Sequence, residues 1–128
     1  MVIDTSALIA VLFDEPERDV FVRKIAAAPR RLVSTGTLIE SSIVVESRRG
    51  ELAGRELDLF LHRADVRAVA VDADQALLAR AAWRRYGKGR HRAGLNFGDL
   101  FAYALARASG EDLLYKGDDF SWTDIDSA

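Results

Sequence analysis

Met1-Val2-Ile3-Asp4-Thr5-Ser6-Ala7-Leu8-Ile9-Ala10-Val11-Leu12-Phe13 opens the chain. A short apolar run that stops at an acid reads as a buried strand, and Thr5 or Ser6 then caps a helix through Phe13. The same strand-to-helix alternation recurs downstream. Pro16 suits the first turn of a second helix with an apolar stripe of Val20, Phe21 and Ile25. Arg31-Leu32-Val33-Ser34 is a candidate strand, followed by a helix from about Thr37 to Arg49 that ends near Gly50. Gly54 to Ala64 carries Leu57, Phe60 and Leu61 on one face, a further helix, and Val66 to Val71 alternates as a strand. Asp72 and Gln75 have capping-box spacing and open a helix to Tyr86. Gly87 to Leu95, rich in glycine and cations, is a loop. Asn96 caps a helix through Ala108 that Gly110 stops; Leu113-Leu114-Tyr115 is a buried strand, and Trp122 to Ile125 a short edge strand. This alternation predicts an α/β fold with a mainly parallel sheet of four or five strands and helices on both faces.

The chain has 128 residues, enough for one domain (residues 1–128) with one real core. Hydrophobic residues at 49% and charged ones at 30% describe an ordinary globular composition. With no cysteine, disulfides and thiolate zinc sites are excluded. No charged leader precedes a long apolar stretch, and no run approaches a membrane span, so a cytoplasmic protein is expected. The net charge of −2 conceals an asymmetry. Gln75 to Gly98 holds no acid, while Arg80, Arg84, Arg85, Lys88, Arg90 and Arg92 crowd its middle. From Glu111 onward, acids face only Lys116.

Acids stand at the junctions. Asp4 and the pair Asp118-Asp119 follow strands, whereas Glu40 and Asp99 lie in first turns of helices entering from the same sheet edge. The carboxyl ends of parallel strands form the crevice where such folds bind ligands. Each acid also has a local explanation: Asp4 as a helix cap, Glu40 as the partner of Thr37 in a capping box, Asp99 as a complement to the helix dipole, Asp118 and Asp119 as turn residues. Convergence of all of them is harder to explain locally. Clustered carboxylates repel and resist ionisation, and a hard cation such as Mg2+ or Mn2+ reverses that cost. The chemistry such an ion supplies, acidifying water and polarising phosphate, is that of phosphodiester hydrolysis. His62 and His91 are too few for a two-histidine zinc motif, and no Gly-x-Ser-x-Gly elbow or Walker loop is present.

Four blocks together, Val2-Ile3-Asp4-Thr5-Ser6-Ala7-Leu8, Glu40, Leu95 to Ala104 with Asn96-Phe97-Gly98-Asp99 at its heart, and Leu113 to Phe120, resemble PIN-domain ribonucleases, and among them VapC-type toxins of bacterial toxin–antitoxin pairs. The resemblance spans the whole chain. It implies a three-layer α/β/α sandwich and an Mg2+- or Mn2+-dependent endoribonuclease neutralised by a VapB-like antitoxin. By position Asp4, Glu40 and Asp99 match the family's three core acids. Many PIN sequences end the last strand with Thr-x-Asp-x-Asp-Phe; here Tyr115 and Gly117 depart from that, leaving Asp118 or Asp119 as the fourth acid, with Asp118 favoured as nearer the strand. Ser6 and Asn96 would orient Asp4 and a metal water. In the mechanism this implies, water activated at the metal attacks an RNA phosphodiester in line. Asp4 and Asp99 ligate the ion directly; Glu40 ligates through water or helps to deprotonate the nucleophile.

Arg84, Arg85, Lys88, Arg90, His91 and Arg92 are the expected RNA grip, a cationic rim beside a pocket that repels phosphate. Trp83, Trp122 and Phe120 are assigned to the core ahead of stacking platforms. Apolar excess on the first three helices suits an antitoxin segment or a homodimer. The competing readings are a PIN nuclease outside any toxin pair and a binding module whose acids only cap helices. A haloacid-dehalogenase phosphatase needs Asp-x-Asp-x-Thr, which Asp4-Thr5-Ser6 breaks, and a receiver domain's acid pair is absent.

Overall fold

The computed structural model describes residues 1–128. Its strands are short: β1 Val2–Ile3, β2 Leu32–Ser34, β3 Arg67–Val69 and β4 Leu113–Leu114. All pair in parallel in the order β3-β2-β1-β4, with Val2 beside Leu32 and Leu113. Successive residues of a strand face opposite sides of a sheet, and here both sides are apolar, as covered parallel strands require. Ile3, Val33 and Leu114 point into one core cluster, and Val2, Leu32 and Leu113 into the other. The first cluster is closed by α1 (Thr5–Leu12), α2 (Arg18–Ala27), α3 (Thr35–Arg49) and α4 (Glu51–Arg63). The second is closed by α5 (Ala73–Tyr86) and α6 (Phe97–Ser109). The result is the expected three-layer α/β/α arrangement. No helix is long and apolar enough to cross a membrane.

Several element ends differ from expectation, each for a physical reason. The cap of α1 is Asp4, not Thr5 or Ser6: its backbone is still extended and tied to the sheet, Asp4 N donating to the Leu114 carbonyl at 3.0 Å, while its carboxylate accepts from Ser6 N. Helix α3 starts at Thr35, because Ser34 at the end of β2 accepts from Gly36 N and nucleates the turn before Thr37 can. Glu40 therefore lies in the second turn, and the Thr37–Glu40 capping box does not form. Helix α4 begins at Glu51, directly after Gly50 turns the chain at φ +80°. Of Val66 to Val71, only Arg67–Val69 pairs as strand. Asp72 does cap α5, but the Gln75 amide donates to the Ala70 carbonyl instead of closing the box.

The largest departure is the tail. Residues Asp119–Trp122 form a 3-10 turn, and the chain rejoins the sheet only at Ser127, which bridges to Leu113. Between them the Tyr103 hydroxyl donates to Asp124 at 2.6 Å, and Ile125 packs on the α5–α6 cluster, so Trp122 to Ile125 cannot run as an edge strand. Phe120 is core at 3% exposure, but Trp83 and Trp122 are 42% and 44% exposed, contrary to their assignment. Arginine side chains cover them: Arg90 lies 4.1 Å from the Trp83 ring centre and Arg92 3.5 Å from that of Trp122.

Candidate active site

Asp4 ends β1, Glu40 projects from α3, which springs from the end of β2, and Asp99 sits in the first turn of α6. All three line one pocket of about 510 Å³ at the carboxyl edge of the sheet, together with Thr5, Ser6, Asn96 and Lys116. A larger cavity of about 760 Å³ lies between α5 and α6, but its lining is mostly apolar and carries no carboxylate. The smaller pocket is the one equipped for chemistry.

Each acid is held by local contacts. Asp4 is 3% exposed; its Oδ2 accepts from Ser6 N at 3.0 Å and Ser6 Oγ at 2.7 Å, while Oδ1 is buried with no hydrogen-bond partner. Glu40 Oε1 accepts from Thr5 Oγ1 at 2.5 Å, and Ser41 Oγ in turn reaches Thr5 Oγ1 at 3.2 Å. Asp99 and Asn96 form a reciprocal capping box: Asp99 N donates to Asn96 Oδ1 at 3.0 Å, and Asn96 N to Asp99 Oδ2 at 2.9 Å. The carbonyl of the Asn96 side chain is thus committed to aiming Asp99, while the residue also lines both cavities. Gly98 lets α3 and α6 approach, since a Cβ there would run into the Glu40 carboxylate.

The electrostatics reflect this crowding. Burial raises the Asp4 pKa above the ordinary carboxylate value, and the Glu40 charge adds to the shift. Asp99 is pushed up to about 7, first by burial, then by the charges of Asp4, Asp119 and Glu40. Asp119 thus acts on the site although it does not line the pocket, and Asp118 is not among the charges that shift Asp99. Both residues are exposed.

The donor set suits a hard cation. It is all oxygen and offers one orphaned buried carboxylate atom, and the carboxyl groups of Asp4 and Asp99 are held above their normal pKa by burial and neighbouring negative charge. No three acids stand close enough to enclose an ion by themselves. Mg2+ does not require that, since it commonly keeps several waters and takes only one or two carboxylates.

The basic residues are divided. Arg84 and Lys88 line the α5–α6 groove with Trp83 and Phe97. Arg85 faces elsewhere, 3.7 Å from Asp124 and over the Tyr86 ring. Arg90 and Arg92 lie on tryptophans, and His91 Nδ1 accepts from Ala93 N at 3.0 Å inside its own loop. Sequence reading missed Thr5 as the partner of Glu40, and Glu15, Arg48 and Lys116 as pocket residues. The hydroxyl pair directly after Asp4 was the one local signal available for Thr5.

Residues 1–125 match the model of the PIN domain. The chain is 62% identical over 125 residues to a protein named ribonuclease VapC from Mycolicibacterium smegmatis, covering 98% of this chain and 97% of that one. Its fold is similar to that of VapC20 of Mycobacterium tuberculosis, a toxin that cleaves the sarcin-ricin loop, with TM-score 0.80 and 22% identity over 99% of this chain and 97% of the other. A toxin–antitoxin complex from Klebsiella pneumoniae is similar with TM-score 0.70 and 19% identity, covering 96% and 92%. Taken with the acids gathered at its sheet edge, these likenesses establish that the chain belongs to the PIN-domain family, in its VapC branch.

Proposed function

We propose that this chain is a metal-dependent endoribonuclease toxin of the cytoplasm, working as one domain and restrained by a VapB-like antitoxin. The observation that carries the reading is the meeting of Asp4, Glu40 and Asp99 in one pocket, with an Asp4 oxygen buried and unpartnered. Asp4 and Asp99 would hold a Mg2+ ion, or Mn2+, with Glu40 nearby and Asp119 as the fourth acid. When bound, the ion supplies positive charge that acidifies water and polarises a phosphate. Ser6 fixes the Asp4 rotamer, the Asn96 cap aims Asp99, and the Thr5 hydroxyl holds Glu40, which would take up a proton from the attacking water.

Arg84 and Lys88 are the basic residues best placed to guide RNA, because their groove adjoins the acid pocket at Asn96. The ribonuclease name of the mycobacterial relative supports the substrate class, and the Klebsiella complex supports an antitoxin partner. Val20 of α2 and Ile39 and Ile43 of α3 remain 44%, 62% and 60% exposed, apolar surface for an amphipathic antitoxin segment or a second copy of the chain. Incubating purified protein with total RNA and mapping the cut ends tests the reading. Discrete internal cuts that need Mg2+ are expected. Equal cleavage in a chelator, or none with Mg2+, would overturn it.

A further inference from the structure

Lys116 is built into the acid pocket rather than scattered on the surface. It follows β4 and precedes Gly117, whose φ of +95° turns the chain away. Its backbone N–H donates to Ser6 Oγ at 2.9 Å, and that hydroxyl donates to Asp4 Oδ2 at 2.7 Å. The main chain of Lys116 is therefore one hydrogen-bonded residue away from the central carboxylate. Its ammonium rests 3.1 Å from Glu15 Oε1 and 3.2 Å from Glu17 Oε2, on the turn joining α1 to α2. Lys116 and Glu15 both line the pocket.

Two features argue that this arrangement does more than stabilise the fold. The Lys116 side chain is 35% exposed, and its partners 30% and 37%, with the Glu17 Oε2 atom alone shielded from water; ion pairs between groups this exposed add little stability. The pocket also holds few cations of the chain's own. Asp4, Glu15, Glu40 and Asp99 line it against only Lys116 and Arg48, so an RNA phosphate approaches against four carboxylates. Arg48 lies at the far end of α3, 5.8 Å from the Phe13 ring centre. Lysine carries a point charge on a flexible four-carbon stem, so its ammonium can swing while the backbone stays fixed to Ser6.

We propose that Lys116 is a ligand for the RNA phosphate entering this pocket, with Glu15 and Glu17 as its resting site. In the free protein the two glutamates hold the ammonium away from Asp4 and Asp99. When RNA enters, the ammonium transfers to a non-bridging phosphate oxygen. The proposal rests on the ribonuclease reading, and its test is arranged to fail separately from it.

RNA binding is measured across a salt series in the Asp99→Asn background, where cleavage does not interfere, and kcat and KM are measured in the otherwise native chain. Lys116→Met should weaken RNA binding about tenfold and lower the salt slope by about 0.7, the loss of one single-strand phosphate contact. Mn2+ affinity should not weaken, and Lys116→Arg should restore most RNA affinity. Glu15→Gln with Glu17→Gln should tighten RNA binding, because it frees the lysine. If Lys116→Met leaves binding and salt slope unchanged, or if the double glutamine variant loses affinity alongside it, Lys116 only ties the α1–α2 turn and the proposal is wrong. A native chain that binds RNA but shows no Mg2+-dependent cleavage would instead remove the ribonuclease reading, with the binding series still deciding the role of Lys116.

Discussion

In the proposed function, Asp99 would serve the site at the expense of stability. Its carboxyl keeps a proton to about pH 7 because burial and three neighbouring acids oppose the charge. Asp99→Asn keeps the shape and the cap acceptor while removing the repulsion. RNA cleavage should fall by about two orders of magnitude or more, whereas the melting temperature in chelator at pH 8 should rise. A variant that cleaves normally, or that melts lower, would contradict this role. Gly98 tests the neighbouring acid. In Gly98→Ala the new Cβ displaces the Glu40 carboxylate, and kcat should drop by about 10- to 100-fold with circular dichroism unchanged. Asp4, Glu40 and Asp99 were legible in the sequence because each ends an apolar run or opens a helix. The Thr5–Glu40 bond and the Gly98 contact were not, since they join segments brought together only by the sheet and no local spacing encodes them.

At the scale of elements, α5 and the loop after it present cations in two directions. Neutralising Arg84 and Lys88 together should weaken RNA binding and flatten its salt dependence by about 1.4 in slope, while neutralising Arg85 should leave that slope alone because Asp124 engages it. Equal effects from both sets would contradict this division and show that RNA also contacts the Asp124 side. Strands and helices were readable where punctuation was unambiguous: Asn96 before α6, Gly110 after it, Asp72 before α5. The start of α3 was not, because Ser34 and Thr37 are both good caps, and the choice went to the one at the strand end. The tail misled because Trp122 and Ile125 read as strand residues, while Tyr103 and the α5–α6 core hold that segment in a different path. The tryptophans misled for a related reason. Arginine stacking lets an indole remain at the surface, and periodicity alone cannot distinguish that from burial.

At the scale of the whole molecule, the two helical layers hold the strands so that their carboxyl ends share one acid-lined pocket, and the stability of the metal-free chain should register that strain. In the unfolded chain Asp99 releases its proton near its ordinary value of 3.8, but in the folded chain only near 7. Between those values the folded state binds the extra proton, so stability falls as pH rises through the window and the loss is complete above about pH 7. Thermal unfolding in chelator should show this decline, and Mg2+ should reduce it by binding the ionised form of the folded chain. A melting temperature that rises across the same window, with or without Mg2+, would argue against a strained acid site. The most direct measurement is Mn2+ binding by isothermal titration calorimetry near pH 7.5, comparing the native chain with Asp4→Asn and Asp99→Asn. Binding in the native chain that weakens by about tenfold or more in each variant is the predicted result. Equal Mn2+ affinity in all three proteins would contradict a shared metal site.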